Sequence, residues 1–184
     1  MRLRPLMAAL ALLALAGCAA PPAGPSRAGD PAVCLELFKR YDTATWLYPE
    51  SWIGEDDDTP AALSGSVDRA GRLLRLNGCL TRSEDLDGMP ELAARLSPHT
   101  IESSGPAIRP VPVHVGIVTS IADEARATRF FRGLGYRSRG VGAEGLGRRI
   151  YIGPFTSQGA LEEAMSIARE AGFIAPFPPR HTKF

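Results

Sequence analysis

The chain has 184 residues, of which 45% are hydrophobic and 22% are charged. This length permits one or two domains, and this composition excludes general disorder. The formal net charge of +1 is unevenly divided, because residues 30–108 carry 14 acidic and 7 basic side chains, whereas residues 109–184 carry 6 and 11. The asymmetry predicts two modules, of which the second can attract anionic material but is less basic than a nucleic-acid-binding domain.

The first residues are typical of an exported protein. A basic start precedes an apolar run, Leu6–Ala16, that is too short to span a bilayer as a stable helix, so residues 1–17 are predicted to be a secretory signal. The sequence Leu15-Ala-Gly-Cys18 resembles the lipobox of bacterial lipoproteins, in which cleavage before the cysteine leaves Cys18 lipid-modified. Since Ala19 rather than Asp follows, the resemblance implies a cell-envelope lipoprotein anchored in the outer membrane and facing the periplasm. The alternative is an ordinary signal peptide with a chance cysteine.

Residues 18–30 are rich in Ala, Pro and Gly, which predicts a flexible tether. Apolar residues at helical spacing then predict a small helical domain over residues 31–96, with Asp30 as the cap of its first helix. Three helices are predicted, and they start near Pro31, Leu63 and Met89. Residues 97–111 contain several prolines and are predicted to be a linker.

Two cysteines remain besides Cys18. An exported protein meets an oxidising compartment, so Cys34 and Cys79 are predicted to form a disulfide that joins the first helix to the second. Closing a loop of about 45 residues should stabilise the fold by roughly 4 kcal/mol. The alternative is two separately buried thiols. The cysteines and histidines lie too far apart to suggest a metal site, and we expect no cofactor.

The C-terminal third contains a repeat. Val113-His-Val-Gly-Ile-Val-Thr-Ser120 matches Ile150-Tyr-Ile-Gly-Pro-Phe-Thr-Ser157, and Leu134-Gly-Tyr136 matches Ala171-Gly-Phe173 at the same offset. Each copy has alternating apolar residues typical of a strand, a Thr-Ser pair that can cap a helix, and a glycine that can end it. Two strand–helix–strand units predict an α+β, ferredoxin-like βαββαβ domain, with four strands and both helices on one face.

These residues also carry a family resemblance. Val113-His-Val-Gly116, Arg149-Ile-Tyr-Ile-Gly-Pro-Phe155 and Ala171-Gly-Phe173 resemble the SPOR domain over residues 112–178, which leaves residues 179–184 as a tail. That domain is a bacterial envelope module of this fold, and it binds peptidoglycan glycan strands that lack stem peptides. The resemblance therefore implies peptidoglycan as the partner, and the division septum as the place where such strands are exposed.

Strand alternation predicts which side chains face away from the helices. Val113, Val115 and Ile117 alternate with other residues, as a half-buried strand requires. If Val113, Val115, Ile150 and Ile152 pack under the helices, His114 and Tyr151 project from the opposite side. We expect that side to be open, because both helices cover the other one. Aromatic rings there could stack on sugars, and the Arg149 guanidinium could bind a muramic acid carboxylate.

The resemblance implies roles for residues on this face. His114 lies where SPOR domains usually carry Gln, and Arg149 lies where they keep an Arg on the third strand. Ile117 and Gly147 depart from the family pattern, in which a small polar residue and an aromatic residue are usual. The predicted glycan-binding residues are His114, Arg149, Tyr151, Phe177, Arg137 and Arg139. Without the resemblance, His114 would be an ordinary surface histidine and Tyr151 an ordinary strand residue.

Three functions follow from these patterns. The first is a non-catalytic lipoprotein that binds denuded glycan strands. The second is an envelope scaffold, in which the acidic helical domain binds a protein partner and the SPOR-like face is degenerate. The third, an enzyme, lacks support because no Ser-His-Asp order, carboxylate pair or Cys-His pair is recognisable. Nucleic acid is excluded as a partner by export and by the absence of an aromatic RNA-binding motif.

Overall fold

The computed structural model describes residues 29–47, 61–96, 105–142 and 147–180. The predicted signal sequence, the predicted lipidation site Cys18 and most of the predicted tether lie outside these residues. The fold is α+β, as predicted. The helices are α1 (Pro31–Leu47), α2 (Ala61–Leu76), α3 (Met89–Arg95), α4 (Ile121–Gly133) and α5 (Gln158–Glu170). The strands are β1 (Ala107–Val118), β2 (Ser138–Val141) and β3 (Arg148–Ser157).

The three strands form one antiparallel sheet in the order β1-β3-β2. Helix α4 joins β1 to β2, and α5 follows β3. Beyond the outer edge of β1, Phe177 forms an isolated antiparallel bridge with His114, in which each backbone N–H donates to the carbonyl of the other residue. The bridge brings the C-terminal segment next to the first strand.

The predicted caps of α1, α4 and α5 are confirmed, whereas α2 ends at Leu76, four residues before the predicted Leu80. The Asp30 carboxylate accepts hydrogen bonds from two backbone N–H groups of the first turn of α1. Ser120 and Ser157 cap α4 and α5 by accepting from the N–H groups three residues on. Gly135 and Gly172 follow these helices with φ of +91° and +95°, the left-handed conformation that favours glycine after a helix.

Hydrophobic cores lie on both faces of the sheet. The first core joins α4 and α5 to one face, and it includes Val113, Val115, Ile150 and Ile152. The second joins α1 and α2 to the other face. Its members are Cys34, Leu37, Phe38, Tyr41, Val67, Leu74, Cys79, Ile117, Ala175 and Phe177. Residues from α3 belong to the first core, so the segment predicted as a separate helical domain packs on both sides of the sheet.

Ile117 was predicted to share a face with Val113 and Val115, and this is wrong. The register of β1 against β3 shifts between His114 and Gly116, so one extra residue of β1 stands opposite the partner strand. Such a bulge reverses the alternation beyond it, because side chains switch faces every residue. Ile117 therefore lies opposite Arg149 and belongs to the second core.

The predicted disulfide between Cys34 and Cys79 is confirmed, with Cα atoms 5.3 Å apart. It fixes the start of α1 to the segment after α2, where the Gly29 N–H also donates to the carbonyl of Gly78. Strand β1 begins at Ala107, inside the segment predicted to be a linker. None of the helices that the structure describes is long and apolar enough to cross a membrane.

Candidate functional site

The candidate site is the sheet face that carries the second core. His114 and Tyr151 are direct cross-strand partners on β1 and β3, with ring centroids 5.2 Å apart. Arg149 lies two residues before Tyr151 and therefore on the same face. The Phe177 ring lies 5.0 Å from the His114 ring. Four of the six residues predicted from the resemblance are thus brought together.

The face is covered, and the expectation that it would be open is wrong. His114 is 1% exposed, Tyr151 2% and Arg149 6%. Helix α1 lies over them, with the Phe38 ring 5.3 Å from that of His114 and the Tyr41 ring 5.8 Å from the Arg149 guanidinium carbon. The physical reason is the apolar side of α1, which needs a surface to bury against and finds one here.

Polar side chains of α1 form hydrogen bonds and an ion pair with polar side chains of the sheet. The Tyr151 hydroxyl donates to Asp42 Oδ1 at 2.9 Å. Arg149 Nη1 lies 3.9 Å from the same carboxylate oxygen and donates a hydrogen bond to the Thr45 hydroxyl. A buried guanidinium is costly unless a countercharge and hydrogen bonds compensate for lost water, and Asp42 and Thr45 provide both.

His114 is neutral in this environment. Burial, followed by the nearby positive charge of Arg149, lowers the pKa of the His114 imidazole to about 3. Its Nδ1 atom is buried and, among the described residues, has no hydrogen-bond partner. The imidazole is therefore mainly a packing group between Phe38, Tyr151 and Phe177.

The other two predicted residues lie at the margin of the covered face. Arg139 pairs with Tyr151 across β2 and β3, and its side chain is exposed. Arg137 is also exposed, and its carbonyl accepts from the Gly153 N–H. Both arginines therefore border the site on the β2 edge of the sheet.

The two departures from the family pattern form one packing arrangement. Ile117 is fully buried in the second core, where a polar side chain would need a partner. A Cβ atom on Gly147 would lie 2.6 Å from Cγ2 of Ile117, and the φ of Gly147 is +97°. An aromatic side chain at Gly147 is therefore incompatible with Ile117 in its present place.

Sequence reasoning missed Asp42 and Thr45. Their signal is present, since Phe38, Tyr41, Asp42 and Thr45 recur at the spacing of one helix side. Polar residues within an otherwise buried stripe indicate a polar partner opposite them.

The described residues contain no cluster of His, Cys, Asp and Glu that could hold a metal ion. Comparison with family models, curated proteins and solved structures gave no match for this chain.

Proposed function

We propose that residues 112–178 form a ferredoxin-like βαββαβ domain of the SPOR kind. The antiparallel order β1-β3-β2 supports this proposal, as do α4 and α5, which share one core beneath the sheet. The bridge from Phe177 to His114 supports it further, because it lies at the edge of β1 where the fourth strand of that fold belongs.

On this basis the protein is a non-catalytic lipoprotein of the bacterial cell envelope, anchored through Cys18, whose SPOR-like face is occupied by its own helix α1. It acts as a scaffold, and its acidic helical segment is the surface for a protein partner. The burial of His114, Arg149 and Tyr151 beneath α1 carries this conclusion. A glycan strand cannot contact these side chains while α1 is in place.

The residues of the sheet face are those expected for a permanent contact with α1. Ile117 replaces a small polar residue of the family and packs in the core with residues of α1 and α2. The disulfide also holds the start of α1 close to the end of α2. A face selected for free access to sugars would gain nothing from a buried isoleucine at this position.

A second candidate function is glycan binding after α1 is released. It is favoured by the chemistry of the α1 contact, in which the Asp42 carboxylate and the Thr45 hydroxyl bond to Arg149 and Tyr151. A muramic acid without its peptide offers a carboxylate, and sugars offer hydroxyls. Helix α1 therefore presents the same functional groups that a denuded glycan strand would present.

Binding to purified sacculi separates the two functions. Untreated sacculi are compared with sacculi from which an amidase has removed the stem peptides. We expect the wild-type protein to bind both preparations equally weakly, because its face is covered. Stronger binding of the wild type to the treated sacculi would contradict the covered face, and release of muropeptides would contradict a non-catalytic protein.

The variant Asp42→Lys tests the second candidate, because it places a cation beside Arg149 and should release α1. Thr43→Lys is the matched control, since Thr43 is the adjacent exposed residue of the same helix. Glycan binding after release predicts that only Asp42→Lys gains a preference for treated sacculi, and that adding Arg149→Ala removes it. No gain in Asp42→Lys, or in the milder Asp42→Asn if the first variant fails to fold, would reject this candidate.

A further inference from the structure

The side of α2 that faces away from α1 combines apolar and basic residues. Val67, Ala70 and Leu74 pack in the second core. Arg69, Arg72, Leu73 and Leu76 follow the spacing i, i+3, i+4 and i+7 on the opposite side, and all four are exposed. Leu76 is 82% exposed, the most exposed of the large hydrophobic residues in the described part of the chain.

The chain that follows the predicted lipid anchor reaches the fold beside the C-terminal end of α2. Gly29, the first described residue, donates its N–H to the carbonyl of Gly78, two residues beyond Leu76. Gly29 lies eleven positions after Cys18 in the sequence. Even a fully extended segment of that length spans no more than about 40 Å. The C-terminal end of α2 therefore lies within about 40 Å of whatever surface holds Cys18.

We propose that the outer side of α2, formed by Arg69, Arg72, Leu73 and Leu76, binds the surface of the membrane in which Cys18 is anchored. The inference rests on the proposed lipoprotein anchor. Leucine side chains insert between the headgroups, and the arginines pair with anionic phospholipids, as in interfacial amphipathic helices. The contact fixes the orientation of the protein on the membrane.

A membrane suits this surface better than a second copy of the chain. A stable dimer buries about 800 Å² on each partner, more than two leucines and two arginines supply. A membrane can take a contact of this size, because two inserted leucines and two arginines paired with anionic lipid suffice for measurable binding, which an anchor then strengthens. The basic side chains also match anionic lipid, with Asp68 as an acidic neighbour at the margin of the surface.

Vesicle flotation of the mature chain, residues 18–184 with Cys18→Ser, measures this surface without the anchor. The chain is exported so that the disulfide forms. We expect it to float with vesicles of phosphatidylglycerol and phosphatidylethanolamine, less so at high salt, and not with vesicles of phosphatidylcholine alone. Leu76→Ser should weaken binding roughly tenfold, because it removes the apolar side chain that inserts. Arg69→Glu with Arg72→Glu should weaken it more than tenfold.

The control is Ile121→Ser on α4, which removes an exposed apolar residue (56% exposed) from another surface. Equal effects of Ile121→Ser and Leu76→Ser, or absence of binding to anionic vesicles, would overturn the proposal. A change in oligomeric state by Leu76→Ser without a change in flotation would overturn it in favour of a second copy. The intact mass of the native protein tests the anchor separately, because an unmodified Cys18 would reject the lipoprotein while flotation still reports on α2.

Discussion

The burial of His114 predicts that the stability of the protein falls in mild acid. The pKa of the imidazole is about 3 in the folded protein and about 6.5 in an unfolded chain. Between these values the unfolded chain binds a proton that the folded protein does not bind, so acid favours unfolding. The contribution of His114 to stability is complete above pH 6.5 and is lost as the pH falls from 6.5 towards 3. At pH 5 the loss relative to pH 7.5 amounts to about 2 kcal/mol.

Urea unfolding of the wild type and of His114→Gln at pH 7.5 and pH 5 measures this loss. Glutamine is polar, can donate and accept hydrogen bonds, and does not titrate. The free energy of unfolding of the wild type should fall by about 2 kcal/mol more than that of the variant between the two pH values. The variant corrects for all other titrating groups, because they are common to both proteins. Equal pH dependence would refute the argument, since it would mean that His114 is accessible to water and protons.

Three further perturbations test the contacts of the covered face and the disulfide. Tyr151→Phe removes the hydroxyl that donates to the Asp42 carboxylate of α1. It should lower the free energy of unfolding by about 1–2 kcal/mol without changing the dependence of that free energy on denaturant concentration. Replacing Cys34 and Cys79 together by Ser should lower the free energy of unfolding, measured by chemical denaturation, by about 4 kcal/mol. Unchanged stability would contradict a stabilising disulfide. Gly147→Ala should cost more than 1 kcal/mol because φ is positive and the new methyl group meets a buried side chain, whereas Gly133→Ala, with open space around it, should have little effect.

The local elements could be predicted from the sequence because their causes are local. The capping hydroxyl of Ser157 and the glycine after α5, Gly172, mark a helix whatever it packs against. The disulfide between Cys34 and Cys79 was predicted from the expected export and from the even number of remaining cysteines. Even the shared face of His114 and Tyr151 followed from the repeat, because the two residues occupy equivalent positions in their strands.

The covering of the face could not be predicted because it depends on contacts between distant segments. Periodicity shows that α1 has an apolar side, but it does not show which surface that side meets. The strict alternation assumed for β1 missed the bulge that turns Ile117 towards α1 and α2. The resemblance makes Ile117 and Gly147 departures from a binding face, whereas in the structure the two residues pack against each other.

The energetics of α1 explain why the scaffold is the better proposal. Opening the face exposes Phe38, Tyr41 and Leu37, each of which is buried, and each large apolar side chain loses about 1.5–3 kcal/mol on exposure. An opening free energy of about 5 kcal/mol would weaken the apparent affinity for any ligand of the face by a factor of several thousand. A glycan strand of micromolar intrinsic affinity would then bind only at millimolar concentration. Glycan binding therefore requires a second event that stabilises α1 elsewhere, and without that event the face serves as the docking platform of the helix.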